Sequence, residues 1–169
     1  MKEFILSLLK NLAKRYVVTL YKKDAKQGNA YAQLILGHCY AKGHGVTKDP
    51  AKAVKWYMKS AENGNVKAQY YLGNCYATGF SVTKDIYEAV KWWTKSAQQG
   101  DACAQNNLAA CYNNGDGIKE NKNKALYWYK KALEHKESLN EEIINHIKST
   151  IEYLEKKGYL AQNEKGNDK

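Results

Sequence analysis

The sequence predicts an all-α protein, a solenoid built from antiparallel helix pairs, and three observations carry that prediction. Asn29–Gly64, Asn65–Gly100 and Asp101–Lys136 superimpose at a fixed offset of 36 residues, which aligns Cys39, Cys75 and Cys111, Tyr40, Tyr76 and Tyr112, and Trp56, Trp92 and Trp128. Within each period the apolar residues fall twice at helical spacing, once on each side of a glycine-containing loop. Each predicted helix also starts at a capping side chain or ends at a glycine. A period of this length marks an array in which each unit buries its apolar face against its neighbours.

The elements follow in chain order. Residues 1–28 form one helix whose end, Leu20–Gly28, aligns with the close of the later repeats, so it holds the second half of an incomplete unit. Phe4, Ile5, Leu8, Leu9, Leu12 and Tyr16 extend its apolar stripe and are expected to cap the stack. The start has a lysine and a short apolar run but no small-residue cleavage site, so it reads as helix rather than leader. Repeats occupy 29–64, 65–100 and 101–136. In the second, Ala68, Leu72, Gly73 and Tyr76 define helix A, and Ala89, Trp92, Trp93 and Ala97 define helix B. Helix A starts at Asn65 and Asp101, just past Gly64 and Gly100; helix B starts at Asp49, Asp85 and Asn121, with Pro50 in its first turn and Glu88 completing a capping-box-like pair with Asp85. Residues 137–160 give an amphipathic cap through Ile143, Ile144, Ile147, Ile151 and Leu154, and the polar residues 161–169 are expected to be disordered.

Composition bounds the partners. A chain of 169 residues buries about 70% of its extended surface and needs no disulfide or metal staple. Of the net charge of +10, residues 137–169 hold five Lys against seven acids, which leaves +12 on residues 1–136. Such a field attracts an acidic protein face, an anionic membrane or nucleic acid. Arg15 is the single arginine among 27 basic residues, so the planar fork that reads base edges is nearly absent. Cys39, Cys75 and Cys111 occupy one equivalent position, and equivalent helices lie roughly 8–10 Å apart, beyond the ~7 Å reach of a disulfide. Reduced thiols and a cytoplasmic setting are expected, with periplasmic or secreted placement left open. No apolar stretch approaches the ~20 residues that span a bilayer.

One repeat reads A-x-x-x-L-G-x-x-Y-x-x-G-x-G, D-x-x-x-A-x-x-W and a closing A-x-x-G, carried by Ala32, Leu36, Gly37, Tyr40, Gly43, Gly45, Asp49, Ala53, Trp56, Ala61 and Gly64. This pattern resembles the Sel-1-like repeat family, relatives of the tetratricopeptide repeats, over roughly residues 20–136. Departures are Ser81 for a loop glycine, and Ala109, Asn121 and Leu133 in the third unit. The resemblance implies a right-handed superhelix whose concave face, lined by helix A, binds proteins or peptides, as adaptors, scaffolds and toxin-neutralising members of the family do.

Subtracting the packing positions leaves helix-A residues that vary between units. By analogy with tetratricopeptide geometry the groove candidates are Tyr31, Leu34, His38, Lys42, Lys67, Tyr70, Asn74, Thr78, Cys103, Asn106, Ala110, Asn113 and Asn114. Tyrosine, asparagine and lysine together suit an adaptable polar face with aromatic anchors. A second ladder, Lys23, Lys59, Lys95 and Lys131, reads as a solvated outer stripe. His38, His44, His135 and His146 form no metal-binding pair, and no phosphate-loop or nucleophile-elbow motif occurs. Cysteine-rich relatives are known as β-lactam binders, but their intra-repeat cysteine pairs are missing, with Gln69 and Gln105 where one member would stand. The sequence therefore predicts a non-enzymatic binder of a partner protein with acidic or polar features, without metal, cofactor or small-molecule substrate. A β-lactam enzyme and a lysine-driven binder of nucleic acid or anionic membrane are the alternatives.

Overall fold

Helix starts are set by one repeated device. The computed structural model describes residues 2–162, with side chains from residue 12. It contains α1 (Lys2–Lys26), α2 (Ala30–Lys42), α3 (Pro50–Glu62), α4 (Val66–Thr78), α5 (Ile86–Gln98), α6 (Ala102–Asn114), α7 (Lys122–Glu134), a 3-10 turn at Lys136–Ser138, and α8 (Glu141–Lys156). There is no strand among the described residues. Asn29, Asp49, Asn65, Asp101, Asn121 and Asn140 each accept from the backbone N–H three residues on, at 2.8–3.0 Å. Asp85 accepts from Tyr87 and Glu88. These bonds satisfy N–H groups that a helix start otherwise leaves orphaned. The Glu88 side chain does not complete the box; it pairs with Lys91.

The chain divides into two compact units, Met1–Lys84 and Asp85–Lys169. In the first, Val18 and Ala25 of α1 pack on Ala32, Leu36 and Cys39 of α2, with Tyr21, Ile35, Val46 and Trp56 at the edge. The expected cap stripe on α1 is corrected here. Leu12 and Tyr16 are 51% and 66% exposed, because seven residues make nearly two turns and place Val18 and Ala25 on the packed side, with Leu12 and Tyr16 opposite. Phe4, Ile5, Leu8 and Leu9 have side chains outside the described ones. Tyr76, expected in the core, is half-buried, whereas Tyr112 is buried.

Joints between helices are closed by buried glutamines. Gln33 Nε2 donates to the Ala25 carbonyl at 3.1 Å and Gln69 Nε2 to that of Ala61 at 3.2 Å. Each carbonyl also accepts from the N–H of Gly28 or Gly64, whose φ of +93° and +83° turns the chain back. Gln33 Oε1 in turn accepts from Asn63 Nδ2 at 2.9 Å, and Ser60 Oγ donates to the Ala30 carbonyl at 2.6 Å.

Asp85–Lys169 repeats the scheme: Gln105 Nε2 donates to the Ala97 carbonyl at 3.0 Å, beside Gly100 N–H. His135 stands where Asn63 stands in the first repeat, and the buried Gln105 Oε1 accepts no hydrogen bond among the described residues. Ile144, Ile147 and Leu154 of α8 are buried, and Lys130 and Glu155 link α7 to α8 at 2.6 Å. The chain then returns to the start of α7, where Leu160 N–H donates to Asn123 Oδ1 and Gln162 N–H to its carbonyl. Expected disorder from residue 161 is thus not seen at 161–162, which Asn123 holds; residues 163–169 lie outside the described residues.

The loop after helix A needs a left-handed residue. Gly45 and Gly117 supply it at φ +71° and +65°, where a Cβ would meet a carbonyl oxygen of Lys14 at 2.5 Å or of Ile86 at 2.8 Å. Ser81 takes the same conformation at φ +57° and bears the steric cost that glycine avoids.

Because Gln33 both donates to Ala25 and accepts from Asn63, Gln33→Leu is expected to cost about 1–3 kcal/mol in urea unfolding. An unchanged midpoint and slope would show that the joint does not depend on the amide.

Candidate partner-binding face

Within Met1–Lys84 the outward sides of α2 and α4 are floored by an aromatic cluster. Gly37 is what admits it: a Cβ there would lie 2.4 Å from the Tyr57 ring, so glycine lets the ring from α3 lie flat on α2. Tyr57 stacks on Tyr71 of α4 at a centroid distance of 5.7 Å. His38 meets both rings edge-on, at 5.4 Å and 4.6 Å, and its Nδ1 is 3.0 Å from Tyr57 Oη. Tyr70 leans on Tyr71 at 5.3 Å. Over this floor opens a cleft of ≈ 440 Å³ edged by Lys42, Asn74, Thr78 and Phe80.

Burial pushes the Tyr57 phenol well above its ordinary pKa, so it remains a donor at neutral pH. Burial first, and the Lys42 ammonium second, hold His38 below the ordinary histidine value. A neutral His38 accepting the phenol proton at Nδ1 carries its own proton on Nε2, a donor free of the Tyr57 bond. No Asp or Glu lies within α2, α4 or α6.

Of the residues chosen from sequence, the cleft brings together His38, Lys42, Asn74 and Thr78. Tyr31 is exposed and meets Tyr21 edge-on; Lys67 is exposed and Tyr70 half-buried. Leu34 is corrected: at 6% exposure it is core, because α2 is packed by both α1 and α3 and has little free surface in its second turn. In Asp85–Lys169, Cys103 is half-buried with Sγ 3.8 Å from the Ser138 carbonyl, and Asn106 and Ala110 are half-buried. Asn113 donates to Asn114, which donates to Asp116, and the Asn113 carbonyl accepts from Lys122.

Sequence reasoning missed Tyr71 and Phe80, although its own filter could have found them. Position 71 is Ile35 and Asn107 in the other repeats, and position 80 is His44 and Asp116. Tyr57 escapes that filter, because its equivalents, Trp93 and Tyr129, are also aromatic.

Other chemistry finds little support. Cys39, Cys75 and Cys111 are free and buried, and burial raises all three thiols, Cys75 and Cys111 to about 11, so they stay protonated and poorly nucleophilic at neutral pH. No cluster of three potential metal ligands occurs among the described residues. In the lysine ladder, Lys59 and Lys95 lie over the Trp56 and Trp92 rings at 4.9 Å and 4.2 Å, and Lys131 pairs with Glu134 at 2.8 Å. Lys59, Lys95 and Lys131 are thus each engaged by a residue of their own helix.

The family model for the Sel1 repeat matches residues 30–65, 66–101 and 104–136. A Sel1 repeat protein from Oxalobacter formigenes is similar in structure, with a TM-score of 0.77 and 34% identity over 94% of this chain and 62% of that one. A protective antigen of uropathogenic Escherichia coli strains, with the same repeat fold, matches at a TM-score of 0.67 and 38% identity over 70% of this chain and 25% of its own. This chain thus spans less than two thirds of either. Helicobacter pylori cysteine rich protein B shares the fold at a TM-score of 0.60, with 19% identity over 80% of this chain and 95% of that one. No curated protein matches the sequence.

The depressed His38 pKa has a definite sign. Between that value and 6.5 the folded chain binds fewer protons than the unfolded one, so the contribution is present above 6.5 and lost as pH falls through the folded value. Stability measured from about pH 7 down to about pH 5 is expected to fall more steeply for the native chain than for His38→Gln. Parallel profiles would contradict the burial of His38.

Proposed function

The chain belongs to the Sel1 repeat family, and we propose that it is a protein-binding module that takes an acidic or polar segment of a partner protein on the helix-A side of α2 and α4. The fold in general mediates protein–protein interaction. The observation that carries the narrower reading is the cleft itself: residues that vary between repeats, His38, Lys42, Tyr71, Asn74, Thr78 and Phe80, converge over the buried Tyr57. A rigid aromatic floor supplies contact area at low entropic cost, and a central, half-desolvated pocket is where interface energy concentrates.

Charge supports the acidic preference. Lys42 is a donor, a neutral His38 that accepts from Tyr57 offers its Nε2–H as a second, and no carboxylate on α2 or α4 opposes an incoming one. Tyr31, Lys67 and Tyr70 extend the surface along the same helices. In Asp85–Lys169, Cys103, Asn106, Asn113 and Asn114 are read as polar contacts of the same kind. An adaptor, a scaffold or an inhibitor would each use such a surface.

The test is capture of partners by the tagged chain from cells of its source. His38→Ala, Tyr71→Ala and Asn74→Ala are each expected to weaken the captured interaction about tenfold or more, while Lys59→Gln and Lys95→Gln leave it unchanged. If folded cleft variants retain the partner, the helix-A assignment falls. If the lysine variants abolish capture and binding depends steeply on salt whatever the partner, the outer stripe is the interface instead.

A further inference from the structure

Charge is divided unequally along the chain. Residues 1–84 hold 14 of the 27 basic but only 4 of the 17 acidic residues, so they carry the whole net charge of +10 and residues 85–169 are neutral. Within the basic half, α1 has seven cations and two acids. Its side opposite Val18 and Ala25 is apolar and open: Leu12, Tyr16 and Leu20, four residues apart, are 51%, 66% and 50% exposed, and Val17 is 44% exposed. Leu9 and Ile5, three and seven residues before Leu12, keep helical spacing with it in the sequence.

Cations border this stripe. On one flank Arg15 and Lys22 join Lys48 and Lys52 around a cleft of ≈ 880 Å³ that also includes Thr19, with Lys52 held by Asp49 at 2.7 Å. Thr19 turns its hydroxyl to the Arg15 carbonyl, so the stripe has few groups able to impose a stereospecific fit. An apolar arc bordered by cations is the arrangement of a helix that lies in a bilayer interface, with its arc in the acyl boundary and its cations at phosphates. A second copy would bring together two halves that each carry +10.

We propose that α1 docks the protein on an anionic phospholipid surface, seating Leu12, Tyr16 and Leu20 at the acyl boundary and Arg15, Lys22 and Lys48 at headgroup phosphates. This goes beyond partner recognition by α2 and α4 and does not depend on it. The sequence keeps an anionic membrane among the alternative partners, and no described helix is long and apolar enough to cross one. An interfacial helix need not cross.

Flotation of the full chain with vesicles of phosphatidylcholine alone, and of equal parts phosphatidylcholine and phosphatidylglycerol, tests this. Binding is expected to the anionic vesicles and to decline as salt is raised. The combined variant Leu12→Ser, Tyr16→Ser, Leu20→Ser is expected to lower partition about tenfold or more, with its helical content and melting unchanged because these side chains are exposed. Arg15→Gln with Lys22→Gln is expected to weaken binding and flatten its salt dependence. Equal binding to neutral vesicles, or undiminished partition of the triple variant, overturns the proposal. So does a doubled mass in sedimentation without lipid that the triple variant abolishes, which would assign the stripe to a second copy.

Discussion

The interaction on which the rest depends is the glutamine amide returned to the end of the preceding helix. At Ala25, Ala61 and Ala97 a carbonyl in the last turn of one helix accepts both a glycine N–H and a glutamine Nε2–H from the next. A helix end buried by its neighbour cannot leave its carbonyls to water, so the joint must supply donors from within. The alanines are 1–2% exposed, small enough for the amide to pass, and the glutamines are 3–4% exposed. Packing alone would let two helices slide or rotate; a directional bond at each joint limits both.

With α2 held in that way, one of its sides is fixed toward α3, and Gly37 becomes the seat of Tyr57. The glycine is a packing device rather than a turn: it brings an aromatic ring against the helix backbone. From that seat Tyr57 reaches Tyr71 and His38, so the floor of the cleft is built by the same contact that joins the pair. The fold and the candidate site are therefore not separable at Tyr57, whereas Asn74, Thr78 and Lys42 sit at the edge and are free to differ.

Much of this was legible in the residues themselves. Caps at Asp49, Asn65, Asp85, Asp101 and Asn121 are local, each needing only a side chain and the next turn, and all five are found as expected. Burial is not local. Leu34 varies between repeats as a surface position would, yet it is buried in a helix that α1 and α3 both pack against. Leu12 and Tyr16 look like core from their apolarity alone, and only the packed side of α1 shows that they face away. The glutamines were hidden in a different way. They repeat at every period, but a repeating polar residue reads as surface until one asks which donors satisfy the buried carbonyls.

Both functional readings rest on residues 1–84, where the positive charge is concentrated and where α2 and α4 carry no acid. Recognition by the cleft is the central claim, and selection of random peptides displayed on phage against the immobilised chain addresses it, with the peptides standing in for the partner. The account predicts enriched sequences that place a carboxylate beside an apolar or aromatic anchor, and loss of that enrichment when Tyr71→Ala is the target. Enrichment without acidic residues, or the same sequences emerging against Tyr71→Ala, would contradict it.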